Sequence, residues 1–251
     1  MNYDYFQQID SHLQFSPEWD SLFITDLKAA RAYPKAILST YPPGFGGFKG
    51  GGSPGGRLCS CEFSHSDAED SIIRINLGGG YQDFPPRPTQ IPFIAGGFFF
   101  ARGEFLQDVP FDPFLAWCFM GEEIALSMRA WTNGWNIYAP RKNWLAHEYR
   151  PGRMGLPKFW GSVGRTFGRP GPGFSNGIQA KLINRIKHML GYPKITREYL
   201  ETKGEIEVLK DMEHYGLGTN RTRAAYLELT KINFKTNSCP DLPWCTQGKL
   251  E

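Results

Sequence analysis

At 251 residues the chain is long enough for one large domain or two small ones, with enough apolar residues for a sizeable core. Its net charge of +3 is too small to single out nucleic acid as a partner, and no run of about 18 apolar residues marks a transmembrane helix. The first residues are too polar for a signal peptide, so the chain as given reads as soluble; its compartment stays open between the cytoplasm, the first expectation, and the secretory pathway.

Charge and cysteine are unevenly spread. From Tyr149 to Arg197 there are ten Arg or Lys and no Asp or Glu, which suits a diphosphate or an acidic partner as well as a solvated basic face. The five cysteines lack Cys-x-x-Cys metal spacing. Cys59 and Cys61 are two apart, Cys118 lies in an apolar run, and Cys239 and Cys245 bracket a Pro-rich tail and are spaced to close a small loop. An aromatic content of 15% is mostly core material, although ring faces also pack against sugars.

Tyr3 to Ile9 reads as a strand ending in Asp10-Ser11-His12. On an extended backbone residues i and i+2 share a face, so Asp10 and His12 can face one ion together. Ser16 and Pro17 mark a helix start, with Trp19, Leu22, Phe23 and Leu27 on its apolar face. Ala36 to Leu38 is a strand running into Ser39-Thr40-Tyr41-Pro42-Pro43. Gly44 to Gly56 is a glycine-rich loop, read either as a lid or as a surface insertion. Short strands are expected over Arg57 to Phe63 and Ile72 to Leu77, then a Pro-rich break at Pro85, Pro86 and Pro88. The run Ile91 to Ala101 contains Gly96 and Gly97, which allow either close backbone approach by a ligand or a tight bulge.

The stretch from Trp117 to Arg150 carries the richest pattern. Ile124, Met128 and Trp131 define a helix face with Ala125 beside them, Gly134 stops the helix, and Glu122 and Glu123 sit in its first turn, where the dipole favours negative charge. Trp135 to Ala139 is a strand ended by Pro140, and the short apolar run Trp144 to Ala146 delivers His147. Asp10, His12 and His147 together make a mixed oxygen and nitrogen ligand set suited to a divalent metal such as Mn²⁺ or Zn²⁺. Beyond Arg150 come Lys158-Phe159-Trp160, a Gly/Pro stretch from Gly168 to Gly177, and a helix over Ile178 to Leu190. Thr202-x-x-Glu205 reads as a capping box opening a further helix, and Thr219 to Thr230 as another helix.

As a set, Asp10-Ser11-His12, Ala95-Gly96-Gly97-Phe98, Phe111-Asp112-Pro113, Gly121-Glu122-Glu123, Arg129-x-Trp131 and His147 resemble the GT-A glycosyltransferases that use an Asp-x-His metal motif. Their order is similar to that in the polypeptide N-acetylgalactosaminyltransferases. A closer resemblance is to the N-acetylglucosaminyltransferases that include enzymes acting on hydroxyproline of a ubiquitin-ligase adaptor, through DSHLQFSPEWD, LSTYPP, FMGEEIALSMRAWTNGWNIYAP and YGLGTNRT. It spans roughly Tyr5 to Asn233.

The resemblance implies an α/β GT-A-like sheet flanked by helices: part of the catalytic domain over residues 1–150, a helical extension over 151–235 and a tail over 236–251. It implies that Asp10, His12 and His147 hold Mn²⁺ or another divalent cation, and that Gly96, Gly97, Glu122 and Arg129 serve the donor sugar. Glu122 and Glu123 would be the catalytic carboxylates. The expected partners are a UDP-sugar donor and a protein or peptide acceptor, with no nucleic acid and no membrane, and the expected reaction is retaining transfer of N-acetylglucosamine to a hydroxyl of hydroxyproline, Ser or Thr. In that family the Asp-x-His strand follows the segment that builds the uracil and ribose pocket, whereas here the motif lies at residue 10. The alternative expectation is therefore an inactive remnant that binds carbohydrate or protein. A Zn²⁺ hydrolase with Glu122 as base is the third reading, and it leaves Ala-Gly-Gly-Phe and Asp-Pro without a role.

Overall fold

A computed structural model describes residues 4–48, 50–53, 56–65, 71–77, 84–149, 158–159, 161–162, 165 and 177–248. Trp160 and residues 168–176, which the sequence reading had singled out, lie outside this set.

The strands are β1 (Tyr5–Ile9), β2 (Leu13–Phe15), β3 (Ala36–Ser39), β4 (Ser60–Phe63), β5 (Ile73–Asn76), β6 (Thr89–Ile91), β7 (Phe98–Arg102), β8 (Asn136–Ala139) and β9 (Leu145–His147). The helices are α1 (Trp19–Ala29), α2 (Phe105–Asp108), α3 (Glu122–Thr132), α4 (Gly177–Leu190), α5 (Arg197–Thr202), α6 (Met212–Tyr215), α7 (Arg223–Thr230) and α8 (Pro243–Thr246).

A mixed five-stranded sheet runs in the order β1-β7-β3-β8-β6, parallel only between β3 and β8. Because strand side chains alternate, each strand divides its apolar residues between two faces. Ala36, Leu38, Phe98, Phe100 and Tyr138 pack with Phe23 and Leu27 of α1. Ile37, Phe99, Ala101, Ile137 and Ala139 pack with Ile124 and Met128 of α3 and with Ile186 of α4. With both faces covered, the strand has no reason to alternate with polar residues, and Phe98-Phe99-Phe100-Ala101 is buried throughout.

Several expected boundaries shift. The Ile91 to Ala101 run holds the end of β6 and the start of β7 with a turn between them. Helix α1 begins at Trp19, after the left-handed Glu18, rather than at Ser16-Pro17. The Thr202-x-x-Glu205 pattern does not open a helix. Thr202 closes α5, its hydroxyl donating back to the carbonyls of Glu198 and Tyr199, while Thr196 caps that helix by accepting from the Tyr199 N–H. Similarly, Thr222 caps α7, so the helix expected from Thr219 starts at Arg223.

The cysteine expectation is also corrected. Cys239 and Cys245 do not pair with each other: Cys59 bonds Cys245 and Cys61 bonds Cys239, across Cα separations of 5.5 and 5.6 Å. Cys61 lies on β4 and Cys59 just before it, and both thiols meet one tail segment. That pairing crosses the whole chain and was out of reach of local spacing. Leu242 and Cys245 belong to the same buried cluster as Ile37. Replacing Cys61 and Cys239 by Ser is expected to cost about 2–5 kcal/mol, read as a lowered Tm that reductant reproduces in the unmodified chain. Identical unfolding curves with and without reductant would count against the pairing.

Candidate active site

The site forms where β1 and β7 end side by side. Ile9 pairs with Phe98, and one residue further the Asp10 N–H donates to the Gly97 carbonyl at 3.1 Å, which sets Asp10 beside the turn over residues 94–98. That turn is pinned from beneath: the Ala95 N–H donates to Ser39 Oγ, which itself donates to the Phe98 carbonyl, and the Ile94 N–H donates to Ser127 Oγ of α3. Serines at these buried positions satisfy backbone groups that the turn would otherwise leave without partners.

Helix α3 then brings its first turn against the same peptide. Gly121 precedes it at φ +86°, a left-handed conformation that suits glycine. The Gly96 N–H donates to Glu123 Oε1 at 2.7 Å and the Tyr41 hydroxyl donates to Glu123 Oε2 at 2.8 Å. Gln8 Nε2 donates to the Gly96 carbonyl at 3.0 Å. The need for two glycines is steric: a Cβ on Gly96 would lie 2.6 Å from Glu122 Oε1, and one on Gly97 would lie 2.9 Å from Asp10 Oδ2.

His147 arrives from the opposite side. Strands β2 and β9 pair Leu13 with His147, the Glu148 N–H donates to the His12 carbonyl, and the His147 N–H donates to the Pro43 carbonyl at 2.9 Å. Its Nε2 lies 3.4 Å from Asp10 Oδ2. The ring of Tyr149 stands edge-on to it at 4.4 Å, and the Tyr149 hydroxyl donates to the Pro42 carbonyl at 2.7 Å.

Electrostatics follow from this crowding. Burial pushes the pKa of Glu122 up, and the charge of Glu123 adds to the effect, while the N–H groups of the helix start oppose it. Burial likewise raises Glu123, against the lowering effect of Gly96 and Tyr41. Tyr149 is pushed up to about 12 by burial and then by Asp10 and Glu123, and Cys118 to about 12 by burial and then by Glu122 and Asp112. A thiol held protonated in this way is a poor nucleophile.

Of the residues expected from sequence, Asp10, His147, Gly96, Gly97, Glu122 and Glu123 therefore share one neighbourhood. His12 stands apart from the extended-strand argument: its φ of +68° turns the chain out of β1, and its Nδ1 is hydrogen-bonded with Ser11 Oγ. Among the described residues no group of three His, Cys, Asp or Glu is gathered as a ready metal cage. The donor chemistry still fits a divalent cation through Asp10 and His147, an oxygen and an imidazole nitrogen beside the Gly96-Gly97 turn. Arg129 lies two turns along α3 from Glu122, roughly 10 Å by helix rise. Its buried guanidinium donates to the carbonyls of Gly216 and Pro110, and burial lowers its pKa to about 10. Tyr41, Tyr149 and Gln8 were not picked out as site residues. Tyr41 sat in the LSTYPP motif, but nothing local shows that its hydroxyl reaches α3.

The family profile described as glycosyltransferase (GlcNAc) matches residues 1–236. The chain belongs to this GlcNAc glycosyltransferase family. No curated protein sequence matches significantly. Among solved structures the fold is similar to that of GalNAc-T7 crystallised with UDP, GalNAc and Mn²⁺, with a TM-score of 0.51 and 13% identity over 94% of this chain. The match covers 42% of the GalNAc-T7 chain, so this family member spans less than half the length of that protein. At such identity the likeness establishes the GT-A type of α/β fold, with a mixed sheet flanked by helices. None of the described helices is long and apolar enough to cross a membrane.

Proposed function

We propose that this chain transfers N-acetylglucosamine from UDP-GlcNAc to a hydroxyl of a protein or peptide, with retention of configuration. The observation that carries the reading is the convergence of Asp10, His147, the Gly96-Gly97 turn and Glu122 at one end of the sheet. Asp10 and His147 would hold the divalent cation, with His12 as a further ligand, and the GalNAc-T7 structure with Mn²⁺ lends weak support to that choice of metal. When bound, such a cation offsets charge on the diphosphate as the nucleotide leaves.

The rest falls to the protein's own side chains. Glu122 accepts hydrogen bonds from donor-sugar hydroxyls, and Gly96 and Gly97 let the sugar approach the backbone. Front-face attack without a protein nucleophile is the mechanism we favour, the leaving diphosphate taking the acceptor proton. The acceptor classes we favour are hydroxyproline, Ser and Thr. The two disulfides bear on compartment, because such bonds persist in oxidising surroundings and are rare in the cytosol. They favour a secretory-pathway setting over the cytoplasmic one expected from sequence.

The test is UDP release from UDP-GlcNAc in Mn²⁺ with acceptor peptides. Wild type is expected to turn over and Glu122→Gln to fall by about 100-fold, the scale of losing a contact to the reacting sugar in a water-excluded site. Equal release by both would remove Glu122 from the reaction, and no release by a folded wild type would favour the binding-module alternative.

A further inference from the structure

The two neighbouring glutamates have different surroundings. Both oxygens of Glu123 are engaged by protein, one by the Gly96 N–H and the other by the Tyr41 hydroxyl. Glu122 instead takes its protein hydrogen bonds from N–H groups of its own helix start, with Oε1 over the face of Gly96 that a side chain would fill. Gln8 holds the next peptide, between Gly96 and Gly97, through the Gly96 carbonyl. The two peptides flanking the Gly96 Cα are thus gripped from β1 and from α3, and the α3 grip ends on Tyr41.

Tyr41 is itself anchored. It follows β3 directly after Thr40, whose buried hydroxyl donates to the Gly56 carbonyl at 3.0 Å, and its own hydroxyl also lies 3.2 Å from the Ile75 carbonyl of β5. Burial and the adjoining Glu123 push the Tyr41 pKa up, so the hydroxyl remains a donor. The next two carbonyls, of Pro42 and Pro43, accept from the Tyr149 hydroxyl and the His147 N–H. Residues 41–43 therefore bracket both halves of the site.

We propose that Tyr41 is a positioning residue, acting through Glu123 to fix the Gly96-Gly97 turn beside the Glu122 that the reading above sets against the donor sugar. This rests on the glycosyltransferase reading above. It also divides roles that the Glu-Glu pair leaves joined: Glu123 holds protein, Glu122 holds substrate.

Hydrogen-bond counting supplies the test. In Glu123→Gln the side-chain oxygen still accepts from Gly96, while its amide donates to the Tyr41 oxygen and frees the Tyr41 proton for the Ile75 carbonyl. Glu123→Ala and Tyr41→Phe each break the chain. Tyr41→Phe is expected to raise KM for UDP-GlcNAc by about tenfold and Glu123→Ala to lower kcat/KM by about 100-fold, as for a displaced reacting group, with Gln recovering at least about tenfold.

Hydrogen exchange at the peptide containing Gly96 gives a readout independent of turnover. Exchange should quicken in Tyr41→Phe and Glu123→Ala and stay slow in Glu123→Gln, all three being checked for folding by thermal unfolding. If wild type releases no UDP, the glycosyltransferase reading fails, while exchange still judges the role of Tyr41. Wild-type exchange and KM in Tyr41→Phe, or Gln as damaging as Ala at position 123, would overturn the proposal.

Discussion

Gly96→Ala is expected to cut turnover of UDP-GlcNAc by at least about 100-fold while leaving the chain folded, because a reacting group displaced by about 1 Å loses that much. The added Cβ would sit 2.6 Å from Glu122 Oε1 and 3.6 Å from Glu123 Cγ. Something must move. The Gly96 backbone is held at both ends, by Glu123 at its N–H and Gln8 at its carbonyl, so the carboxylate of Glu122 is the part that gives. Overpacking of this kind costs roughly 1–3 kcal/mol in stability, which a folded domain tolerates but a site geometry does not. Gly46→Ala is the control, since a Cβ there meets nothing within 4 Å. Turnover rates and Tm values for the two variants check the prediction. Near-normal turnover in Gly96→Ala would mean that the contact with Glu122 has no part in the reaction.

Asp112→Ala should produce a large loss of stability. Asp112 accepts from Arg185 Nε at 2.7 Å with both side chains 1% exposed, so neither charge has water to fall back on. Arg185 also donates to the Val208 and Lys210 carbonyls and lies 4.9 Å over the Phe114 ring, which ties α4 to the segment leading into α3. Removing the carboxylate leaves a buried cation without its partner, a change worth about 3–5 kcal/mol. For a chain of this size that is a Tm lower by roughly 6–20 °C in thermal unfolding. Replacing both partners with apolar residues should not restore the wild-type value, because the Val208 and Lys210 carbonyls lose their donor. A drop in Tm below about 2 °C in Asp112→Ala would contradict the described burial.

Much of the fold was legible because it rests on local period. The buried run Phe98 to Ala101, the α3 face through Ile124 and Met128, and the stop at Gly134 each follow from side-chain spacing and a single backbone requirement. In the candidate site, the two glycines marked in the sequence have a steric reason: Gly96 and Gly97 face the oxygens of Glu122 and Asp10. Part of what sequence reading missed depends on distant chain. The bond from Cys61 to Cys239 spans 178 residues, and Tyr41 meets Glu123 across 82. The donor role of Arg129 came from the family resemblance alone, and its guanidinium donates to the carbonyls of Pro110 and Gly216. Thr202 has the right neighbours for a cap, but its hydroxyl found carbonyls one turn back instead. The alternation argument for His12 assumed a strand that had already ended at Ile9.

The most direct test of the central claim is calorimetric titration of UDP into the purified chain with and without Mn²⁺, comparing wild type with His147→Ala. Metal-strengthened binding in wild type, lost in the variant while its Tm holds, is the expected result. Equal UDP affinity in all four titrations would contradict a site in which Asp10 and His147 hold a cation against the diphosphate.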